Sequence, residues 1–309
     1  MEIGNMGTLD DIAIVDAHHH LWDMDHLPYP SLTGPPRTDF FLCDNTAIRS
    51  NYLPDDYRED SAKHNVVATV HCEAECSRDF QVQESEWIVE MNAQHGFPNA
   101  IVAHAWFDRD DTEEILARQA AIPLVRGIRS KPVTAPSRDA ITPGAPGTMQ
   151  DAKWLEGFTL LEKYDLSWDL RVPAWHLEEA AEVARAFPRI PVNLNHTGFP
   201  WDRSPDGLEM WRQGMQALAA CPNVMTKLSC LCLPDGPWRL EDNRPIVLEA
   251  IDIFGVDRCM FASNFPVDRL RASYDAIYDS FKTMVADFPR EDQEKLFSKN
   301  AARFYRIAL

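Results

Sequence analysis

Eight short apolar, β-branched runs recur along the chain, each followed by a polar turn and a segment of helical periodicity. No other feature limits the fold as much. The runs are "AIVDA" from Ala13, "VVATVHC" from Val66, "AIVAHAW" from Ala100 and "LVRGIR" from Leu124, then "LSWDLRV" from Leu166, "IPVNLNH" from Ile190, "NVMTKLS" from Asn223 and "CMFASN" from Cys259. Strands apolar almost throughout are buried on both faces, as in a parallel sheet covered by helices. Segments such as "HLEEAAEVARAF" and "YDAIYDSFKTMVADF" supply the amphipathic helices. Eight such units over 309 residues predict one (β/α)8 barrel of TIM type spanning 1–309, with an open sheet as the runner-up. No glycine-rich phosphate fingerprint follows any run, which weakens a dinucleotide-binding sheet and an organic cofactor.

A formal charge of −18 argues against nucleic acid or an anionic membrane as partner, since both attract basic surfaces. The implied partner is a small molecule, because a few inward-pointing cations can dominate a pocket even in an acidic protein. The seven cysteines are scattered, and "MEIGNMGTLDDIAIVD" lacks the basic start and apolar stretch of a leader, so free thiols in the cytoplasm are expected. Residues 23–58 form the one long irregular piece, which predicts a lid or binding loop beside strand 1. Its aromatic-rich part, 27–41, is read as exposed, either as lid or as a contact in a homo-oligomer. "SKPVTAPSRDAITPGAPG", after strand 4, is a candidate second lid.

In such a barrel the active site lies at the carboxyl ends of the strands. Period-two alternation puts Asp16, His18 and His20 on one face and His19 on the other, and groups His71, Glu73 and Glu75 on strand 2. Strand 3 ends with His104 and Trp106, strand 4 with Arg129 and strand 6 with His196; strand 7 carries Lys227 and strand 8 Asn264. A single histidine at a strand end is more often a hydrogen-bonded structural residue than a ligand, and aromatic residues there more often pack than stack on substrate. Coincidence at this many strand ends is harder to explain that way, because buried ionisable groups are costly unless paired. His18 and His20 together suit a divalent ion such as Zn or Mn, with Glu73 and His196 placed to complete its shell.

The stretches "IVDAHHHLWD", "NHTGFP", "TKLSCL", "RCMFASNFPVDRL" and "NAARFYRI" resemble, in this order, the amidohydrolase superfamily. The resemblance is closest to the amidohydrolase-related branch that includes sugar and aromatic-acid lactonases. It implies that His18 and His20 are the strand-1 pair, His196 the strand-6 histidine, Arg129 a substrate-binding cation and Lys227 a substrate-facing strand-7 residue. The chain departs from the pattern at strand 8, where the superfamily's aspartate, a metal ligand and general base, is replaced by Asn264.

The expected activity is hydrolysis of a small lactone, carboxylated or polyhydroxylated, by an activated water. Glu73, His196, Lys227 and Asn264 form the expected catalytic set, with Glu73 the first candidate for base, then His196 and then Asp268, four residues past Asn264. Arg129, His104, Trp106, Trp175 and Trp22 are the expected substrate-binding residues. The alternatives are decarboxylation, amide hydrolysis or hydration in the same pocket, or a barrel that has lost catalysis and only binds.

Overall fold

The computed structural model describes residues 9–35, 42, 44–234 and 236–309. Part of the 27–41 segment and Cys43 therefore lie outside the described residues. Eight parallel strands pair in the order β1 to β8: Ile14–His19, Val66–Cys72, Ala100–Ala103, Val125–Ile128, Ser167–Leu170, Val192–Leu194, Val224–Leu228 and Cys259–Phe261. Past the last strand, the Asn264 N–H donates to the His18 carbonyl at 2.8 Å and the His20 N–H to the Phe265 carbonyl at 2.7 Å. Asp16 reinforces this seam by accepting from the Ser263 N–H at 2.9 Å and the Ser263 hydroxyl at 2.6 Å. The result is the expected (β/α)8 barrel.

The strands are shorter than their apolar runs, so His104, Trp106, Arg129 and Arg171 lie just beyond the ladder, in the turns that line the barrel mouth. Eight helices follow the eight strands: α1 Pro54–Ser61, α2 Gln81–His95, α3 Thr112–Ala120, α4 Ala152–Lys163, α5 Leu177–Ala186, α6 Pro205–Ala219, α7 Leu240–Phe254 and α8 Tyr274–Met284. Their register follows from the sequence pattern. In α5 the buried residues are Leu177, Ala180, Ala181, Val183 and Ala184, the stripe that a 3.6-residue period requires. Ser204 and Ser273 cap α6 and α8 by accepting from the N–H groups of Gly207 and Ala276, which satisfies one orphan donor at each start. Gly96 ends α2 with φ of +82°, a conformation that glycine adopts without steric cost.

Strand β1 departs from strict alternation. Val15 and Ala17 pack inside the barrel with Val70, Cys72, Val102, Met260 and Tyr305. Asp16 turns the other way, towards Tyr57 on α1, whose hydroxyl donates to it at 2.8 Å. His19 meets the same tyrosine, with ring centroids 4.5 Å apart, and pairs with the Thr69 hydroxyl at 2.9 Å. The β1–β2 register slips between Asp16 and His19, and that irregularity brings His18 inward directly after Ala17. The expected grouping of Asp16 with His18 is therefore corrected, whereas His19 is structural as expected.

Candidate active site

The barrel interior carries polar chemistry in two layers. In the lower layer the Lys227 ammonium, fully buried, lies 2.5 Å from Asp169 Oδ1. The same carboxylate accepts from Asn195 Nδ2 at 2.9 Å and from the Tyr305 hydroxyl, which rises from the C-terminal helix Asn300–Tyr305 to within 3.0 Å and 3.1 Å of its two oxygens. Lys227 Nζ also lies 3.3 Å from His18 Nδ1. A lysine ammonium only donates, so His18 Nδ1 accepts and the His18 proton sits on Nε2. His18 Nε2 is 3.3 Å from His20 Nε2, and His20 Nδ1 donates to the Cys72 carbonyl at 2.8 Å. One continuous run of donors and acceptors thus fixes both tautomers. Burial, reinforced by Lys227 beside His18 and by Arg129 beside His20, lowers both imidazoles, His20 to about 3, so both are neutral at neutral pH.

The upper layer opens into a pocket of about 590 Å³, lined by His20, Trp22, Ala74, Glu75, Arg129, Arg171, His196, Asn264 and Val267, with Ser31, Leu32, Asn45 and Ile48 from the long first loop. The loop is less irregular than expected, with a helical turn at Pro30–Thr33 and α1 at its end. Leu27, Tyr29 and Leu32 are buried, which corrects the reading of this part as exposed. From Val133 on, the segment after β4 lines a separate cavity of about 470 Å³ with His176 and Glu179, whereas Lys131 at its start reaches Glu75 at the barrel mouth.

Glu73 is fully buried at the end of β2. Arg129 Nε reaches its Oε1 at 2.5 Å and Arg129 Nη2 its carbonyl oxygen at 2.5 Å, while the Glu75 N–H donates to Oε2 at 2.8 Å. Burial alone would raise this carboxyl, but Arg129, His104 and Lys131 outweigh it and hold Glu73 well below the usual carboxylate range. So acidic a group is a poor proton acceptor. The geometry makes Glu73 the clamp that aims Arg129 and leaves guanidinium Nη1 for the pocket. His196 is different. Its Nδ1 lies 3.1 Å from the Ser229 hydroxyl, and burial, then Arg171 and Arg129, keep the ring neutral. Nε2 is the nitrogen left for chemistry. Asn264 Nδ2 donates to Asp268 Oδ1 at 2.7 Å.

Of the expected site residues, the structure brings together His20, Trp22, Arg129, His196 and Asn264 at one pocket wall, with His18 directly beneath. Lys227 lies below this surface, ion-paired, and does not line the pocket. His104 lies against Trp106 and 3.6 Å from Glu73, Trp106 carries the Arg78 guanidinium on its ring, and Trp175 donates to the Ala135 carbonyl. None of the three lines the pocket. Arg171, Lys131 and Asp169 were not among the expected residues; Glu75 was expected on the strand-2 face and lines the pocket, and Asp268, the third candidate for base, stands behind Asn264. Arg171 carried a signal, a cation inside the fifth apolar run and one residue past β5.

Two groups of donors bear on a metal ion. His18, Cys72 and Asp169 bring their ligand atoms within 4.8 Å of one another. That place already holds a cation, the Lys227 ammonium, and burial pushes the Cys72 thiol up to about 12, so the thiol keeps its proton. The His18–His20 pair fits better. Zinc–nitrogen bonds of about 2.0–2.1 Å at a tetrahedral angle put two ligand nitrogens about 3.3–3.4 Å apart, and the pair stands at 3.3 Å. Its spacing therefore fits a divalent ion, but to ligate one His18 would have to move its proton from Nε2 to Nδ1 and give up the contact with the Lys227 ammonium, and no carboxylate from strand 8 completes the shell.

The amidohydrolase family profile matches residues 15–307. The chain belongs to the amidohydrolase family. It is an enzyme fold, and the expected resemblance holds over nearly the whole length. An uncharacterized protein of Sinorhizobium fredii, y4mH, is 40% identical over 97% of this chain and 100% of its own. An L-fucono-1,5-lactonase of Burkholderia ambifaria is 28% identical over 95% of each. Among solved structures, an amidohydrolase of Burkholderia multivorans with bound HEPES superimposes with a TM-score of 0.79 at 24% identity, over 96% of this chain and 100% of that one. A second crystal form of it contains zinc and gives a TM-score of 0.77 at 23% identity over the same shares. No helix among the described residues is long and apolar enough to cross a membrane.

Proposed function

We propose that the protein is a hydrolase that opens a small, polyhydroxylated lactone. The observation that carries this reading is the pocket wall itself, where the neutral imidazole of His196 and the amide of Asn264 share one cavity with the guanidinium groups of Arg129 and Arg171. That is a proton acceptor and a hydrogen-bond acceptor for water, set with electrophilic donors for a carbonyl oxygen. The lactonase-named relative supports the same class of bond.

In the proposed reaction the lactone carbonyl oxygen lies against Arg129 Nη1. Water attacks the carbonyl carbon and gives a proton to His196 Nε2, and the developing oxyanion is stabilised by the guanidinium. Collapse breaks the ring C–O bond, and the departing oxygen takes the proton back from the imidazolium, leaving a hydroxy acid. His196 starts as a weak base, but negative charge developing beside it raises its affinity for the proton as the reaction advances. A divalent ion bound at this centre would be held by His18 and His20 and would supply Lewis acidity towards the carbonyl. Glu73 and Glu75 face Arg129, Lys131 and Arg171, two carboxylates against three cations, which leaves a surplus of one positive charge on the wall. That falls short of the two charges of a dicarboxylate and favours a neutral sugar-like lactone over it. Product analysis is the test: acid release from L-fucono-1,5-lactone or a related sugar lactone, followed with a pH indicator, is expected. Carbon dioxide from aromatic acids, with no acid from lactones, would move the assignment to a decarboxylase.

A further inference from the structure

Asn264 stands at the strand-8 position, and a carboxylate stands directly behind it. The Asn264 backbone is pinned on both sides, its N–H on the His18 carbonyl at 2.8 Å and its carbonyl accepting from the Asp268 N–H at 3.2 Å. Its φ of +55° is left-handed, a conformation that asparagine tolerates better than most residues. Only the terminal amide is left to orient. Asp268, itself buried, takes one end of it at 2.7 Å, and the thiols of Cys230 and Cys232 lie against the same carboxyl group. Burial raises the Asp268 carboxyl to about 7, against the donors of Asn264, Cys232 and Cys230; above that pH it is an ionised carboxylate that accepts hydrogen bonds and donates none, so the end facing it is the amide nitrogen, as the 2.7 Å contact from Nδ2 has it. The oxygen is then the opposite end. Asn264 lines the pocket, and among the described residues no donor reaches its Oδ1.

We propose that Asp268 is a positioning residue that holds the Asn264 amide with its oxygen towards the pocket, so that strand 8 offers the attacking water a neutral hydrogen-bond acceptor. The proposal rests on the hydrolytic reading above. Water that donates one hydrogen to Asn264 Oδ1 and the other to His196 Nε2 has its lone pair free for the carbonyl carbon. The proton lost in attack goes to His196, since an amide oxygen does not take it. With the amide reversed, its N–H would claim that lone pair and turn it away from the substrate. The chain would thus replace an aspartate that orients and deprotonates water with two residues, one to orient and one to accept the proton.

The test compares Asp268→Leu, which cannot hold the amide, with the exchange variant Asn264→Asp/Asp268→Asn, which keeps an oxygen towards the pocket and a donor behind it. On L-fucono-1,5-lactone, Asp268→Leu is expected to lower kcat by roughly tenfold or more with KM little changed, and the exchange variant to recover most of that loss. Thermal unfolding checks that both variants fold. Wild-type kcat in folded Asp268→Leu, or a folded exchange variant as slow as it, would overturn the proposal. A second readout does not depend on turnover. In deuterated protein labelled with 15N-asparagine, the Asn264 side-chain amide should exchange slowly with solvent, and Asp268→Leu should abolish that protection. An unchanged signal overturns the proposal. Should wild type open no lactone, the hydrolytic reading fails, and this measurement still decides the amide's orientation.

Discussion

Replacing Lys227 by methionine removes the one ammonium in the lower layer and leaves Asp169 charged and fully buried. Breaking a buried ion pair from one side costs about 3–5 kcal/mol, because the remaining charge is uncompensated. Asp169 keeps Asn195 Nδ2 at 2.9 Å and the Tyr305 hydroxyl at 3.0 Å, two donors that soften the loss, so the low end, about 3 kcal/mol, is expected. In the double variant Asp169→Asn/Lys227→Met no charge is stranded, and the amide oxygen still accepts from Tyr305. Its stability should return to within about 1 kcal/mol of wild type, about 2 kcal/mol above Lys227→Met alone. Urea unfolding followed by tryptophan fluorescence measures all three. Because Lys227 does not line the pocket, KM should be unchanged in the double variant. Additive losses in the double variant, or a Lys227→Met protein as stable as wild type, would refute the reasoning.

The other expectations are as follows. Glu84 is buried under the Ala74 N–H, and burial raises its carboxyl from 4.5 to about 8. A raised folded-state value means its contribution is full below the unfolded value and is lost as pH rises towards 8. Glu84→Gln should therefore gain stability relative to wild type between pH 5 and 8, by up to roughly 4–5 kcal/mol at about 1.4 kcal/mol per pH unit; a pH-independent difference in urea midpoints would contradict this. Arg171→Gln should raise KM by about tenfold with a smaller change in kcat, as loss of a charge-assisted contact to bound substrate would, and steady-state kinetics reads this directly. Gly157→Ala should destabilise by roughly 1–3 kcal/mol, because the added carbon would stand 2.1 Å from the Phe107 carbonyl oxygen; unfolding curves measure it.

The barrel was legible because its strands are buried on both faces, and a parallel sheet writes that burial into the chain as continuous apolar runs. His196, Arg129 and Asn264 were legible for a related reason, since a polar residue at the end of such a run has little but the barrel mouth to face. What the sequence did not reveal depends on register and on partners far along the chain. The slip in β1 turns Asp16 outward and His18 inward, and no local pattern announces it. Lys227 was expected to face substrate. It faces Asp169 and Tyr305 instead, a pairing across 58 and 78 residues that only barrel closure creates. Glu73 had the right place for a base, but Arg129, 56 residues on, changes its chemistry. Trp106 and Trp175 stand at strand ends and yet are occupied by Arg78 and by the Ala135 carbonyl.

The most direct test of the account is the rate of acid release from L-fucono-1,5-lactone and related sugar lactones by wild type and His196→Asn, each stripped of metal with a chelator and checked by plasma mass spectrometry. Asparagine is chosen because position 196 has φ of +60°, which it tolerates. The account predicts turnover by the wild type and a loss of roughly a hundredfold or more in a folded His196→Asn protein. Turnover by His196→Asn at the wild-type rate, or no acid release from any of these lactones by the wild type with or without added zinc, would contradict it.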